Sequence, residues 1–320
     1  GAPTITLGTG GSGDVVNYTT GSGTQYLDFT YTIGTGDTSS DLDYISTGAL
    51  ALNGGTIKDV NGNDATLTLV SPGAANSLAD SKNIVIDATL PTITGTTVAG
   101  NNSTIAVTFS EAVFNATGGS GALEASDFAL SISGGTATVA ATPSSISKSG
   151  NVYTLGLTLT GTPTGSETLT VVPSGATAIY DASDNAASTT QSNNTVSLND
   201  QASPTMVITS TTSGVSSGAT SNDATIAMKF TSNESTSNLI AGDVTVTNGS
   251  IGALSGSGSV YTATLTPDGS GAVTVKISAG AYSDAAGNTN TVSNTFTWTY
   301  DGTLPTITGT TVAGNNSTIA

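Results

Sequence analysis

An eighteen-residue stretch, Thr89 to Ala106 (TLPTITGTTVAGNNSTIA), returns letter for letter at Thr303 to Ala320. Subtracting Pro91 from Pro305 gives a period of 214 residues. That interval is too long for one small supersecondary repeat and suits two domains of ordinary size in tandem. The chain reads as a window on a repeating array, and a boundary is expected between the two copies.

Short alternating runs rich in Val, Ile, Thr, Tyr and Phe, parted by Gly, Ser, Asn and Asp clusters, recur from end to end, as at Tyr26–Ile33, Ile105–Phe109, Tyr153–Leu159, Thr225–Phe230, Val260–Leu265, Ala272–Ile277 and Thr295–Tyr300. Period-two alternation on β-branched residues predicts strands with one buried and one wet face. No longer window holds a 3.6-residue apolar period with helix formers, so the expected class is all-β with almost no helix. The strand patterns put Tyr153, Tyr261, Trp298 and Tyr300 in cores or junctions.

A second marker sets the boundaries. Asp87-x-x-x-Pro91, Asp200-x-x-x-Pro204 and Asp301-x-x-x-Pro305 share one pattern, and Gly1-Ala2-Pro3-Thr4-Ile5 is the same junction without its aspartate. Proline fixes φ and lacks an N–H, so it suits the first residue of an edge strand after a short connection. The expected domains are residues 1–88, 89–202 and 203–302, with 303–320 the start of a further copy of the second. Near the end of each domain stands another shared pattern, Asp-x-x-Gly/Asp-Asn: Asp59 to Asn63, Asp181 to Asn185 and Asp284 to Asn288. Such a tight loop can turn several oxygens the same way.

The inventory of side chains excludes much chemistry. Cys and His are both absent, and the basic residues are five lysines: Lys58, Lys82, Lys148, Lys229 and Lys276. No disulfide framework, Cys/His zinc site, histidine-activated nucleophile or arginine phosphate clamp can be built. A net charge of −17 argues against nucleic acid and anionic membranes and favours cations as partners. No apolar run approaches a membrane span, and no signal peptide is present, as expected of a segment lying inside a longer protein. Two carboxylates would suffice for glycoside hydrolysis, but the acids lie at junctions rather than in an aromatic-lined cleft, so catalysis is not expected.

The third domain resembles the bacterial Ig-like repeats of giant secreted adhesins and surface stalks, through its Ser203-Pro204-Thr205 start, Phe230-x-x-x-Glu234, GDVTVTNG (Gly242–Gly249), SVYTATLTP (Ser259–Pro267) and AYSDAAGNTN (Ala281–Asn290). The second resembles the same superfamily through TIAVTFSEAV (Thr104–Val113) and the Asp181 loop. The first resembles another repeat type of such proteins, through SDLDY (Ser40–Tyr44), LNGGTIKDVNGN (Leu52–Asn63) and KNIVID (Lys82–Asp87). The resemblance implies tandem immunoglobulin-like β-sandwiches, and related repeats bind calcium at their linkers.

In such a sandwich the B–C and F–G loops share one end with the start of strand A. With B at Ala224–Phe230, C at Val244–Thr247, F at Ala272–Ser278 and G at Asn294–Tyr300, the carboxylates of Asp200, Glu234, Asp243 and Asp284 should meet beside Asn288. The parallel set is Asp87, Glu111, Asp127, Asp181 and Asn185. A third set, Asp37, Asp43, Asp59 and Asn63, is expected in the first domain, and Asp301 should serve the next junction. Crowded carboxylates resist ionisation unless neutralised, and an oxygen-only cluster suits Ca²⁺ rather than a soft metal. The alternative is a set of solvated loop charges, with Asp and Asn chosen for turn chemistry. The expected function is a calcium-stiffened stalk of a surface adhesin in an extracellular, bacterial cell-surface setting, its partners the neighbouring repeats. The other readings are a self-assembling fibre or sheath of many copies, and an adhesion module that binds a surface glycan or protein.

Overall fold

The structure, a computed structural model, describes residues 1–310. It divides into two compact units: Gly1–Thr160 with Thr168–Ser197, and Gly161–Glu167 with the chain from Leu198 onward. Strands dominate both. The one α-helix among the described residues is Leu78–Ser81 (α1), begun where Ser77 Oγ accepts the Asp80 N–H.

The first part of unit 1 holds Thr4–Leu7 (β1), Asp14–Thr20 (β2), Asp28–Phe29 (β3), Thr38–Ser39 (β4), Leu50–Ala51 (β5) and Ile86–Asp87 (β6). One sheet runs β3-β2-β1-β5, and β4 pairs with β6. Its core is small: Leu7, Val16, Leu42, Tyr44, Ala49 and Ile86. The strand expected over Tyr26–Ile33 shrinks to β3, which meets β2 through a register shift. Tyr26 and Ile33 are exposed, so there is no second buried row to hold a longer strand.

The rest of unit 1 holds Ile93–Val98 (β7), Thr104–Phe109 (β8), Phe128–Ser133 (β9), Thr138–Val139 (β10), Ile146–Ser149 (β11), Val152–Gly156 (β12), Leu159–Thr160 (β13), Thr168–Pro173 (β14) and Thr195–Ser197 (β15). Sheets β11-β12-β8-β7 and β15-β14-β9 are joined by the small pair β10-β13. The alternation read in the sequence is obeyed: Ile105, Val107 and Phe109 of β8 are buried, as are Leu169 and Val171 of β14. Phe109, Phe128 and Tyr153 pack with centroids 5.8 to 6.3 Å apart, and each buried ring of this size contributes about 2–3 kcal/mol. This core fixes the end of β8, from which Glu111 projects.

Unit 2 holds Met206–Ser210 (β16), Ala219–Ser221 (β17), Ile226–Thr236 (β18), Val244–Thr247 (β19), Gly249–Ile251 (β20), Ser255–Pro267 (β21), Gly271–Ile277 (β22) and Phe296–Tyr300 (β23). Two four-stranded sheets, β16-β18-β21-β20 and β17-β23-β22-β19, supply an inner layer each. The pairing of β17 with β23 is parallel and the remaining ladders of the two sheets are antiparallel. Ile226, Met228, Phe230, Val273, Val275 and Trp298 form the centre of the core, and Trp298 Nε1 donates to Ser221 Oγ at 3.0 Å. Tyr261 is also buried, while Tyr300 is half-buried and packs against the core. The strand expected to stop at Phe230 continues to Thr236, past a register shift after Thr231, and so carries Glu234 within it. Residues 301–310 form no strand and are exposed. The expected start of strand B in the second copy, near residue 318, lies outside the described residues.

Candidate metal centres

The three Asp-x-x-Gly/Asp-Asn loops fold alike. In each, the aspartate N–H donates to the carbonyl of the asparagine four residues on, at 3.0 Å for Asp59 and Asp181 and 3.1 Å for Asp284. The aspartate carboxylate accepts in return: Asp59 from the N–H of Asn61 and Asn63 at 2.9 and 2.8 Å, Asp181 from Ser183 and Asn185 at 2.8 Å, Asp284 from Asn288 at 2.9 Å. Its other oxygen holds the asparagine side-chain amide at 2.8, 2.8 and 2.9 Å. The fourth residue must take positive φ to close this ring, which Gly62, Asp184 and Gly287 do at 85°, 70° and 95°.

Two of the three loops stand among other carboxylates. Asp87, Glu111 and Asp181 each offer an oxygen within 4.8 Å of the others, and so do Asp200, Glu234 and Asp284. The pieces come from three places in each case: the linker aspartate of Asp-x-x-x-Pro, the glutamate after the second strand of the sandwich or at its extended end, and the loop aspartate. Local bonds aim the linker acid. Asp87 Oδ1 accepts the Thr89 hydroxyl at 2.6 Å, and Asp200 Oδ1 accepts the Ala202 N–H at 2.8 Å. The loop asparagine then ties the linker down, Asn185 Nδ2 donating to Asp87 O at 2.9 Å and Asn288 Nδ2 to Asp200 O at 3.3 Å. In the first triad Ser183 Oγ adds a bond to Asp87 Oδ2 at 3.1 Å. Ser183 was not singled out in the sequence, although its place inside the loop was visible there.

The electrostatics follow from this crowding. Glu111 is pushed above the usual carboxylate range by burial first and then by the charges of Asp181 and Asp87. Glu234 is pushed up likewise, by burial and then Asp200 and Asp284, with Asn233 opposing. Asp87 moves down, chiefly through the Thr89 hydroxyl. No lysine relieves either triad, since the one salt bridge among the described residues joins Lys58 to Asp64. Three hard oxygen donors without a cationic side chain are the donor set that Ca²⁺ accepts, and the chain has no Cys or His to favour a softer ion.

The other expected residues are used elsewhere. Asp127 and Asp243 belong to neither triad: Asp127 Oδ2 accepts the Glu124 N–H at 2.7 Å and Asp243 Oδ2 the Ile240 N–H at 2.9 Å, each closing the turn ahead of the next strand. The set proposed in the first domain does not assemble among the described residues. Asp37 accepts from the Tyr31 hydroxyl and the Gly34 N–H. Asp43 is buried and accepts from Tyr44 and Gly73 N–H groups at 2.8 and 2.9 Å. Asp59 accepts only from within its own loop, from Asn61 and Asn63. Local donors serve the triad aspartates as well, so the difference is one of placement: these three acids form no close group of carboxylates among the described residues. Asp301 is exposed and bonded to Thr303.

Residues 200–300 match the model of the bacterial Ig-like domain family. No curated protein sequence matches the chain. Among solved structures the chain is similar to the FdeC adhesin of Escherichia coli, at 17% identity over 85% of this chain and 76% of that one, with a TM-score of 0.33. It is also similar to InvD of Yersinia pseudotuberculosis, at 16% identity over 68% and 60%, TM-score 0.28, and to the S-layer protein rSbsC(31-844), at 12% identity over 70% and 56%, TM-score 0.24.

Proposed function

We propose, on the premise that residues 200–300 are a bacterial Ig-like domain, that the chain is a segment of stalk in a repetitive bacterial surface adhesin, stiffened by Ca²⁺ bound where linker meets loop. One observation carries this reading. Twice, the aspartate of an Asp-x-x-x-Pro stretch stands within 4.8 Å of a loop aspartate and of a glutamate in a strand or just past its end. A cation held by all three would tie a linker to the body it leads into, turning a hinge into a fixed joint. The bonds from Asn185 and Asn288 to the linker carbonyls pre-set that joint.

Extracellular modules bind calcium at about 0.1 to 1 mM, so a millimolar medium would keep such sites largely filled. The chain has little else to offer chemically, and its function on this reading is mechanical rather than catalytic. It would lie outside the cell, its direct partners being the neighbouring repeats. Small-angle scattering of the full chain with calcium and with chelator is the test. Calcium is expected to narrow the distribution of end-to-end distances, and superimposable profiles would end the proposal.

A further inference from the structure

The two triads differ on the core side of their carboxylates. Behind the second lie Ser232 and Tyr282, 4% and 1% exposed. Among the described residues their hydroxyl oxygens are the buried side-chain polar atoms left without a hydrogen-bond partner. Each stands two positions ahead of a triad carboxylate, Ser232 before Glu234 and Tyr282 before Asp284. Residues two apart on extended backbone share a face. Strand β18 shows that face directly, with Ser232 and Thr236 buried, Glu234 half-buried between them, and Asn233 and Ser235 exposed. A bridge between Thr236 and Asp284 joins the two segments. The Ser232 hydroxyl and the Glu234 carboxylate both lie close enough to the Tyr282 phenol to act on it.

Behind the first triad the corresponding positions are hydrocarbon. Ile179, fully buried, stands two residues ahead of Asp181, and Phe109 two ahead of Glu111. The nearby phenol of Tyr153 is satisfied, donating to Val113 O at 3.1 Å.

Buried hydroxyls are rarely left unpaired, and the usual remedy is an ordered water with about two to four polar partners. Resting on the cation reading above, we infer that the Asp200–Glu234–Asp284 site takes a divalent cation that keeps one bound water, whose protons go to Ser232 Oγ and Tyr282 Oη, whereas the cation at Asp87–Glu111–Asp181 lacks that water. The second site then demands less dehydration of its ion. It discriminates less against Mg²⁺, which sheds water reluctantly.

The test uses the full chain with Eu³⁺ as the calcium surrogate. Its luminescence decay, compared in H₂O and D₂O, counts coordinated waters because O–H oscillators quench it. Asp87→Asn/Glu111→Gln isolates the second site and Asp200→Asn/Glu234→Gln isolates the first. The second site is expected to hold one more water than the first. That water is expected to disappear in Ser232→Ala/Tyr282→Phe, while the cation-free protein is no less heat-stable, since both unpaired groups leave together. Equal water numbers at the two sites would overturn the inference, as would a count unmoved by the double substitution. So would loss of all Eu³⁺ binding in a folded double variant, which would make Tyr282 a direct ligand. Should the double variant fail to fold, Tyr282→Phe alone carries the same expectation. If Eu³⁺ binds at neither site of the unsubstituted chain, the cation reading itself falls.

Discussion

The loops at Asp59 and at Asp181 have the same hydrogen-bonded ring, yet one is a surface turn and the other the buried floor of a carboxylate cluster. Val60, beside Asp59, is 99% exposed, whereas Asp181 is 0% exposed and faces Asp87 and Glu111. The pattern Asp-x-x-Gly/Asp-Asn is thus a recipe for a loop and nothing more. What makes a candidate cation site is the arrival of two further acids, one from a linker and one from a strand end. No such pair of acids reaches Asp59 among the described residues; Asp37 bonds to Tyr31 and Asp43 to Tyr44 and Gly73 instead.

The contrast can be broken most directly by removing the loop aspartate. Asp181→Ala removes a fully buried carboxylate that accepts three part-buried donors and is expected to cost about 2 kcal/mol in chemical unfolding, while Asp59→Ala, in a solvated turn, should leave the midpoint almost unmoved; equal losses would mean the two loops are not energetically distinct. Next in size is calcium itself. At ten times the dissociation constant, linkage adds about 1.4 kcal/mol per site, so calorimetry should show a calcium-dependent rise in Tm that Glu111→Gln/Glu234→Gln abolishes and Asp59→Asn leaves intact.

A third, smaller effect has a defined sign. Glu111 and Glu234 have folded pKa values raised above the ordinary 4.5, so the folded state binds protons more tightly than the unfolded one. Without calcium, stability from these groups is therefore lost as pH climbs from about 4.5 through the raised values. Glu111→Gln and Glu234→Gln should each raise the calcium-free Tm by about 2 °C at pH 7 and by nothing at pH 3.5. A gain that persists at pH 3.5 would assign the effect to packing instead. The depressed Asp59 and Asp87 work in the opposite direction, losing their contribution as pH falls through their folded values below 3.8. Smallest is the difference between the two triads' tethers. Ser183→Ala removes a bond to Asp87 that the second loop, with Ala286 in that place, never has. It should weaken calcium at the first site about twofold, and Ala286→Ser should strengthen the second by a similar factor; no change in either titration would make Ser183 a bystander.

Much of this was legible in the sequence. Alternation on Thr104–Phe109 and Ala272–Ile277 named both the strands and their buried faces, since period two on β-branched residues leaves little other choice. The linker, strand and loop acids that the fold brings together are each marked in the sequence by a recurring pattern. Asp127 and Asp243 were misplaced for a definite reason: a carboxylate at a strand entry can satisfy a turn N–H three residues back as readily as it can face a neighbour, and only geometry shows which. The Tyr26–Ile33 run had the right letters for a strand but no partner layer to bury them.

By itself, then, the chain's sequence determined local matters: which stretches are extended, where φ must be positive, and that no side chain heavier in chemistry than a carboxylate is present to act. Those follow from sterics and inventory, which act within a few residues. The tertiary structure decided which acids meet, which are spent on their own turns, and that Ser232 and Tyr282 lie unpaired behind one triad and not the other. Those depend on distances between segments tens of residues apart, set by core packing rather than by any local pattern.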